Sequence, residues 1–524
     1  MEKVDCLFIH VPKLQNYYRP IGQFIWINFL PMGLLGLADL LQRNNISAEV
    51  VHLGVEFIED PSFSVLDHIK KKNPRIVAFD LHWHHQSYDI LETVRKVKEA
   101  FPSVYLLLGG FTASFFHEEI MKNFDGVDGV IRGEAEVPIL ELTHAVLRGE
   151  KDLFSIPNLT WRRNGRIMIN PLSYVANEDD LNRLSFTNFP LLKNYSTYIR
   201  YIGQPFYVRG VSKEKNFWMY SLKSPIYHLT LGRGCPVQCT WCSGNIPSQK
   251  TITGRKEVTF RGVEEVLKTI REALSYGYET FHICFDPYPG KPDYFLKLFS
   301  RIREEKIRME CFFESFGLPT PLFIRSFKET FPGPKSLIGI SPDVGSDRLR
   351  RVHKGHAYTK KDLMACLDQL KSQEVFCDLF FTVGVPFERE GDVEQTIELQ
   401  KEVRKRYPNV RGIRTFTIEM EPGSPWHLDP ETFGVKTQLG NFMDFYHYHS
   451  GKENAFSSLG YWIPDYFEGA ADGKAFESRL QELRCNNFCF IHPDARKSSS
   501  PFWGRKLCDL SSFFWKVKGL IGKE

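Results

Sequence analysis

The chain of 524 residues is 42% hydrophobic and 25% charged, too long for one ordinary core and too apolar for a disordered polymer, so about two to four domains are expected. Its 67 basic and 63 acidic side chains nearly cancel to a formal charge of +4, which leaves no whole-molecule attraction for nucleic acid and favours a small-molecule or lipid-like substrate. No Gly-x-x-x-x-Gly-Lys-Ser/Thr phosphate loop, Gly-x-Ser-x-Gly elbow or His-Glu-x-x-His zinc motif occurs, so kinase, hydrolase and protease readings have no support.

Val4 to His10, Ala48 to His52, Arg75 to Leu81, Val104 to Leu108 and Gly129 to Arg132 read as buried strands, because short aliphatic runs recur there between amphipathic stretches. Pro31 to Arg43, Ser64 to Lys72, Tyr88 to Ala100, Ala113 to Asn123 and Glu136 to Arg148 read as the intervening helices. This alternation predicts a doubly wound, Rossmann-like α/β domain over residues 1–150, in which a ligand binds beyond the carboxyl ends of the strands. The first strand begins near Met1 with no signal-peptide pattern, and no apolar run approaches the roughly eighteen residues of a membrane span, so a cytoplasmic location is expected.

The segments at the ligand-binding edge are Pro31-Met32-Gly33-Leu34-Leu35-Gly36, Asp80-Leu81-His82-Trp83-His84-His85, Gly109-Gly110 and Arg132-Gly133-Glu134-Ala135-Glu136. Gly109 and Gly110 would let a large planar ligand approach the backbone. On the plain reading His82, His84 and His85 form a polar surface patch where a helix begins; the sharper reading is metal ligation. Residues 151–222 read as a linker carrying a hairpin that turns at Asn164-Gly165.

Alternation returns over residues 223–434, with strands at Ile226 to Leu231, Thr280 to Phe285, Met309 to Phe313, Leu337 to Ser341, Phe376 to Val383 and Ile413 to Glu419. Six β/α units predict a partial barrel whose catalytic loops follow the strands. The first of these loops is Cys235-Pro-Val-Gln-Cys239-Thr-Trp-Cys242. Three thiolates from one short loop can hold three irons of a [4Fe-4S] cluster and leave the fourth iron open. A structural zinc completed by His228 or His282 is the alternative, disfavoured because such sites use four ligands in paired spacings. The remaining cysteines are mostly scattered singly, which argues for a reducing compartment and against a disulfide framework.

The cysteine spacing, with Trp241 just before the last thiol, resembles the radical S-adenosylmethionine superfamily. The N-terminal segments resemble the cobalamin-binding domain that precedes the barrel in one large class of it, so the resemblance spans roughly residues 1–150 and 224–435. It implies a cluster on Cys235, Cys239 and Cys242, with S-adenosylmethionine on the open iron. Asp286, Ser341, Asp343, Gly384 and Pro386 would contact that nucleotide; Gly33, His82, His85, Gly109 and Gly110 would line the corrin. Gly339-Ile340-Ser341-Pro342-Asp343 stands where the class has Gly-x-Glu-Ser, so Ser341 or Asp343 would take over a ribose contact. Lys354 matches a recurrent class lysine with a structural or carboxylate-binding part, and Glu421-Pro-Gly-Ser-Pro matches the class pattern after the sixth strand. The Asp-x-His-x-x-Gly loop of methionine-synthase-type domains is missing after the first strand, which leaves the lower cobalt ligand open among His10 and His82 to His85.

The activity implied is methylation of an unactivated carbon. A flavodoxin- or ferredoxin-type donor reduces the cluster, a 5′-deoxyadenosyl radical takes a substrate hydrogen, and methylcobalamin supplies the methyl group. The same motifs would serve ring closure or rearrangement, whereas a non-catalytic sensor would not need the adenosine contacts. Residues 435–524 are aromatic-rich and read as a small, mainly helical cap. Cys485, Cys489 and His492 there are pocket residues or a second metal site. Leu507, Leu510, Phe513, Phe514, Val517 and Ile521 share a helical face flanked by lysines, which docks on the protein or makes peripheral membrane contact.

Overall fold

The computed structural model describes residues 3–12, 30–202, 226–284, 292–355, 358–450 and 459–487. Strands β1 (Cys6–His10), β2 (Ala48–His52), β3 (Ile76–Asp80), β4 (Tyr105–Gly109) and β5 (Gly129–Ile131) run parallel in the order β2-β1-β3-β4-β5. Their side chains alternate between two cores. Phe8, Val50, Ala78 and Leu107 face one core with Leu35 and Leu142 of the helices Met32–Arg43 and Glu136–Arg148. Leu7, Val77, Phe79 and Leu108 face the other with Ile90 and Val94 of the helix Ser87–Ala100. Burial on both faces is why these strands read as unbroken apolar runs. Strand order reverses between β1 and β3, and that switch point is where a doubly wound sheet binds its ligand.

The hairpin is present as β6 (Leu159–Arg163) and β7 (Arg166–Ile169), with Asn164 and Gly165 both at positive φ as a tight hairpin turn requires. Expected inside a linker, it instead extends the first sheet, β6 pairing antiparallel with β5. Buried Trp161 anchors it by donating from Nε1 to Asn170 Oδ1 at 3.1 Å. The expected helix at Ala113 to Asn123 is two short ones, Phe111–Phe115 and His117–Asn123.

In the second sheet, β8 (Ile226–His228) is followed by the short antiparallel pair β9 (Gly232–Arg233) and β10 (Thr259–Phe260). Strands β11 (Thr280–Ile283), β12 (Glu310–Ser315), β13 (Leu337–Asp343), β14 (Phe376–Thr382) and β15 (Val410–Phe416) complete it. The order β15-β14-β13-β12-β11-β8 is parallel throughout, and among the described residues β8 and β15 remain unjoined edges, so the barrel is partial. The helix Val263–Ser275 buries Val263, Val266, Leu267 and Ile270 as its periodicity requires, and Gly277 follows it at φ +94°.

The C-terminal region holds β16 (Lys436–Thr437) paired antiparallel with β17 (Tyr461–Trp462), and the helices Phe442–Ser450 and Gly473–Asn487. Asp286, the side chain of Cys485, and the terminal stretch with Cys489, His492 and the amphipathic face lie outside the described residues. Among the described residues no helix is long and apolar enough to cross a membrane.

Candidate functional site

The cysteine loop is held by its neighbours on several sides. Gly234 (φ +97°) sits where a Cβ would meet the Glu257 carbonyl at 2.8 Å, and Gly355 (φ +61°) where one would meet the Gln238 backbone at 2.6 Å. Thr240 donates its N–H to the His353 carbonyl at 2.9 Å, and its hydroxyl lies 2.8 Å from His353 Nδ1 and accepts from Trp426 Nε1 at 3.0 Å. The far side of that ring, His353 Nε2, meets the Pro386 carbonyl at 2.8 Å, so His353 ties the loop to the end of β14. Cys239 donates to the Lys354 carbonyl at 3.3 Å, while Cys242 Sγ accepts from the Gly244 N–H at 3.2 Å.

All three thiols are half-buried and unbridged. Burial pushes Cys239 up to about 12 and Cys242 well above its ordinary value, so a bound metal centre must supply the free energy of deprotonation. The thiols lie within electrostatic reach of one another. Three thiolates from one short loop match three irons of a [4Fe-4S] cluster and leave the fourth iron open. His228 and His282 turn to each other instead, Nδ1 to Nδ1 at 2.9 Å.

At the end of β13, Pro342 offers no N–H, and the pairing with β14 shifts between Ile340 and Asp343. Asp343 is left at φ +62°, a backbone state that non-glycine residues adopt mainly at special sites. Its carboxylate binds Lys354 Nζ at 2.5 Å; burial still holds its pKa above the ordinary value despite that cation. Lys354 is thus bound to a carboxylate. Ser341 is half-buried, and its carbonyl accepts from Tyr358 at 3.0 Å. Gly384 (φ +81°) donates its N–H to Glu388 and accepts from the Tyr461 hydroxyl at 2.7 Å; its missing side chain makes room for Leu480 of the cap. Beyond β15, Glu421 accepts from the Ser243 N–H at 2.8 Å and hydroxyl at 2.9 Å, with burial raising its pKa.

Across the interface, the carboxyl ends of β1 and β3 present His10 and Asp80, joined Nδ1 to Oδ2 at 2.7 Å. Asp80 Oδ1 is buried with no hydrogen-bond partner among the described residues. His82 is exposed, yet the protein around it pushes its imidazole below the ordinary value, a combination expected of a side chain lining a cleft. Gly110 (φ +97°) is required by the Leu81–His82 backbone, which a Cβ would meet at 2.7 Å. Gly109 and Gly33 border open space, with a single atom at 3.9 Å and none within 4 Å respectively. The polar-patch reading of His84 and His85 fails. His84 is 4% exposed and lies 2.8 Å from His449 Nε2, while His85 Nε2 lies 2.6 Å from Glu419 Oε2.

The two sheets are locked together beside the cysteine loop. Arg255 donates to Glu134 at 2.5 and 2.8 Å, Arg233 reaches the same carboxylate at 3.1 Å, and Arg233 also pairs with Glu136. A Cβ on Gly133 would meet Thr253 at 3.0 Å. The helix Ile246–Ile252, directly after the cysteines, touches the helix Phe111–Phe115 that opens at Gly110. The cysteine loop and the ligand edge of the first sheet therefore meet at one interface.

Residues 28–143 match the B12 binding domain family and residues 229–399 the radical SAM superfamily. The chain belongs to the cobalamin-dependent radical S-adenosylmethionine enzymes. This radical S-adenosylmethionine enzyme is 23% identical over 384 residues to an uncharacterised methyltransferase of Pyrococcus horikoshii, covering 71% of this chain and 73% of that one. It is 20% identical over 294 residues to the hopanoid C-3 methylase of Methylococcus capsulatus, covering 56% and 49%. Its fold is similar to the radical S-adenosylmethionine methyltransferase TsrM of Kitasatospora setae, solved with cobalamin and a [4Fe-4S] cluster, at TM-score 0.66 and 13% identity over 94% of this chain and 90% of that one.

The cofactors of this radical S-adenosylmethionine enzyme are a [4Fe-4S] cluster, S-adenosylmethionine and cobalamin. Both sites fit them. Three thiols stand together in one loop, and the open space at Gly33 and Gly109, with the buried Asp80 oxygen that has no partner among the described residues paired across from Gly109, suits a large planar group with polar edges. Reading the sequence alone missed Glu134 with Arg255, Ser243 with Glu421, and His449. Glu134 stood inside a segment singled out at the ligand edge, but its partner lies 121 residues away with no local pattern to mark it.

Proposed function

We propose that this enzyme methylates an unactivated carbon of a small or lipid-like substrate held between the two sheets. The observation that carries the reading is the Glu134–Arg255 interface, which sets the cysteine loop against the ligand edge of the N-terminal sheet. Methyltransferase names among the relatives support it. Reduced cluster and S-adenosylmethionine together supply hydrogen abstraction, and cobalamin supplies a methyl carrier.

The protein's share is positioning. Cys235, Cys239 and Cys242 hold the cluster, with His353 fixing the loop through Thr240 and Pro386. Ser341, the Asp343–Lys354 pair and the Gly384–Pro386 turn stand on the nucleotide side. Gly33, Gly109 and His82 face the corrin; Gly110 closes the turn behind them, and His85 braces their loop against Glu419. An external flavodoxin or ferredoxin supplies the electron.

The test needs no substrate. Holoenzyme reduced with methyl-labelled S-adenosylmethionine should place the label on bound cobalamin and release about one S-adenosylhomocysteine per cobalamin, since a methyl carrier is charged once per cycle. Formation of 5′-deoxyadenosine without S-adenosylhomocysteine would overturn methyl transfer and point to ring closure or rearrangement.

A further inference from the structure

We propose that His84, His85, His449 and Glu419 bind one divalent transition-metal ion, separate from the cysteine loop, where the N-terminal domain, the barrel and the C-terminal helix Phe442–Ser450 meet. One ligand atom each from His84, His85 and Glu419 lie within 4.8 Å of one another. His449 stands beside this trio, its Nε2 2.8 Å from His84 Nδ1, and would swing in as the fourth ligand, while His85 Nε2 stands 2.6 Å from Glu419 Oε2. The rings of His84 and His85 stack at 4.0 Å, and that of His449 lies 5.0 and 5.3 Å from them.

Three imidazoles and a carboxylate are the donor set of zinc and its neighbours, not of calcium or magnesium, which prefer oxygen. Tetrahedral ligands on bonds of about 2.0–2.1 Å stand roughly 3.3 Å apart, so the His84–His449 and His85–Glu419 contacts at 2.8 and 2.6 Å would open by about half an ångström or slightly more as the rings turn toward the ion. A further carboxylate, Glu421, lies within electrostatic reach of His85. His84 and His449 are both 4% exposed, and Phe445 lies edge-on 5.3 Å from His84.

A second group, His282, Cys284 and Glu314, also brings ligand atoms within 4.8 Å. Its thiol is exposed and borders residues outside the described ones, so it closes around an ion less completely. The ion on His84, His85, His449 and Glu419 would instead clamp the loop after β3, with exposed His82 and Trp83, to a helix 365 residues further along the chain. It would fix the corrin-facing loop relative to the barrel.

The test uses holoenzyme, whose cysteine loop is already filled by the cluster, dialysed against zinc and then against buffer. Retention of about one zinc per chain, with only nitrogen and oxygen neighbours at about 2.0–2.1 Å by X-ray absorption, is the expected result. His449→Ala should drop the zinc content at least tenfold and His282→Ala should leave it unchanged. A sulfur shell at about 2.3 Å would place the zinc on a cysteine and overturn the assignment; so would failure of the wild-type holoenzyme to retain zinc. The wild-type absorption spectrum decides the matter even where a histidine variant fails to fold.

Discussion

Replacing Arg255 with alanine should unlatch the two sheets. The guanidinium is 3% exposed and the Glu134 carboxylate 7%; besides its two bonds to Glu134, Arg255 donates to the Ala176 carbonyl at 2.8 Å and the Thr259 hydroxyl at 2.6 Å. Removing one partner of a buried pair costs about 3–5 kcal/mol, because the other charge stays buried. Arg233, 3.1 Å from the same carboxylate, remains as a counter-charge, which places the expected loss near the lower end, about 3 kcal/mol. Urea unfolding followed by tryptophan fluorescence reads it in the transition that separates the sheets. The double variant Glu134→Leu with Arg255→Met should cost less than either single change, since no charge is stranded. Burial works against the ionised Glu134, but Arg255 and Arg233 hold its pKa below the usual carboxylate range. A depressed carboxylate contributes stability above its unfolded pKa and loses it as pH falls through the folded one, so the wild-type advantage over Glu134→Gln should vanish in acid. A loss below about 1 kcal/mol for Arg255→Ala, or additive single changes, would refute the reasoning.

Gly355→Ala should leave the far-ultraviolet circular dichroism unchanged but cut iron retained after reconstitution several-fold. Its left-handed backbone alone costs about 1–2 kcal/mol, and the new Cβ would push on Gln238 at 2.6 Å, displacing the cysteine loop. Cys239→Ala should lose the cluster, read as iron and sulfide content, while keeping cobalamin in equilibrium dialysis. Glu388, buried against Tyr466, has its pKa raised to about 7 by desolvation. Its folded value lies above its unfolded one, so wild-type stability should fall as pH rises from the ordinary carboxylate range to about 7 and then level off. Glu388→Gln should remove that slope and raise the thermal midpoint at pH 8 relative to wild type, with little change at pH 5.

The architecture was legible because burial leaves a local trace. Phe8, Val77 and Leu108 fall on runs whose inner positions are buried on both faces, and Val263, Val266 and Ile270 repeat at the helical period. The cysteine loop was legible because its spacing carries its chemistry within eight residues. Other features depend on tertiary contact. The hairpin at Asn164-Gly165 reads locally as a turn, but only the edge of β5 decides that it joins the sheet. Gly110 reads as room for a ligand, whereas the Leu81–His82 backbone fills that room. His84 and His85 look like surface histidines until His449 and Glu419 arrive from other elements. The substitution at Ser341-Pro342-Asp343 became interpretable only once the shifted pairing and the Lys354 bond were visible.

The central claim is that the cluster and cobalamin meet across the Glu134–Arg255 interface. Pulsed electron paramagnetic resonance on holoenzyme carrying cob(II)alamin and the reduced cluster tests it most directly, because both centres then hold one unpaired electron. The account expects a resolved dipolar coupling between the two spins that weakens or broadens in Arg255→Ala. Two uncoupled signals from protein loaded with both cofactors would contradict it.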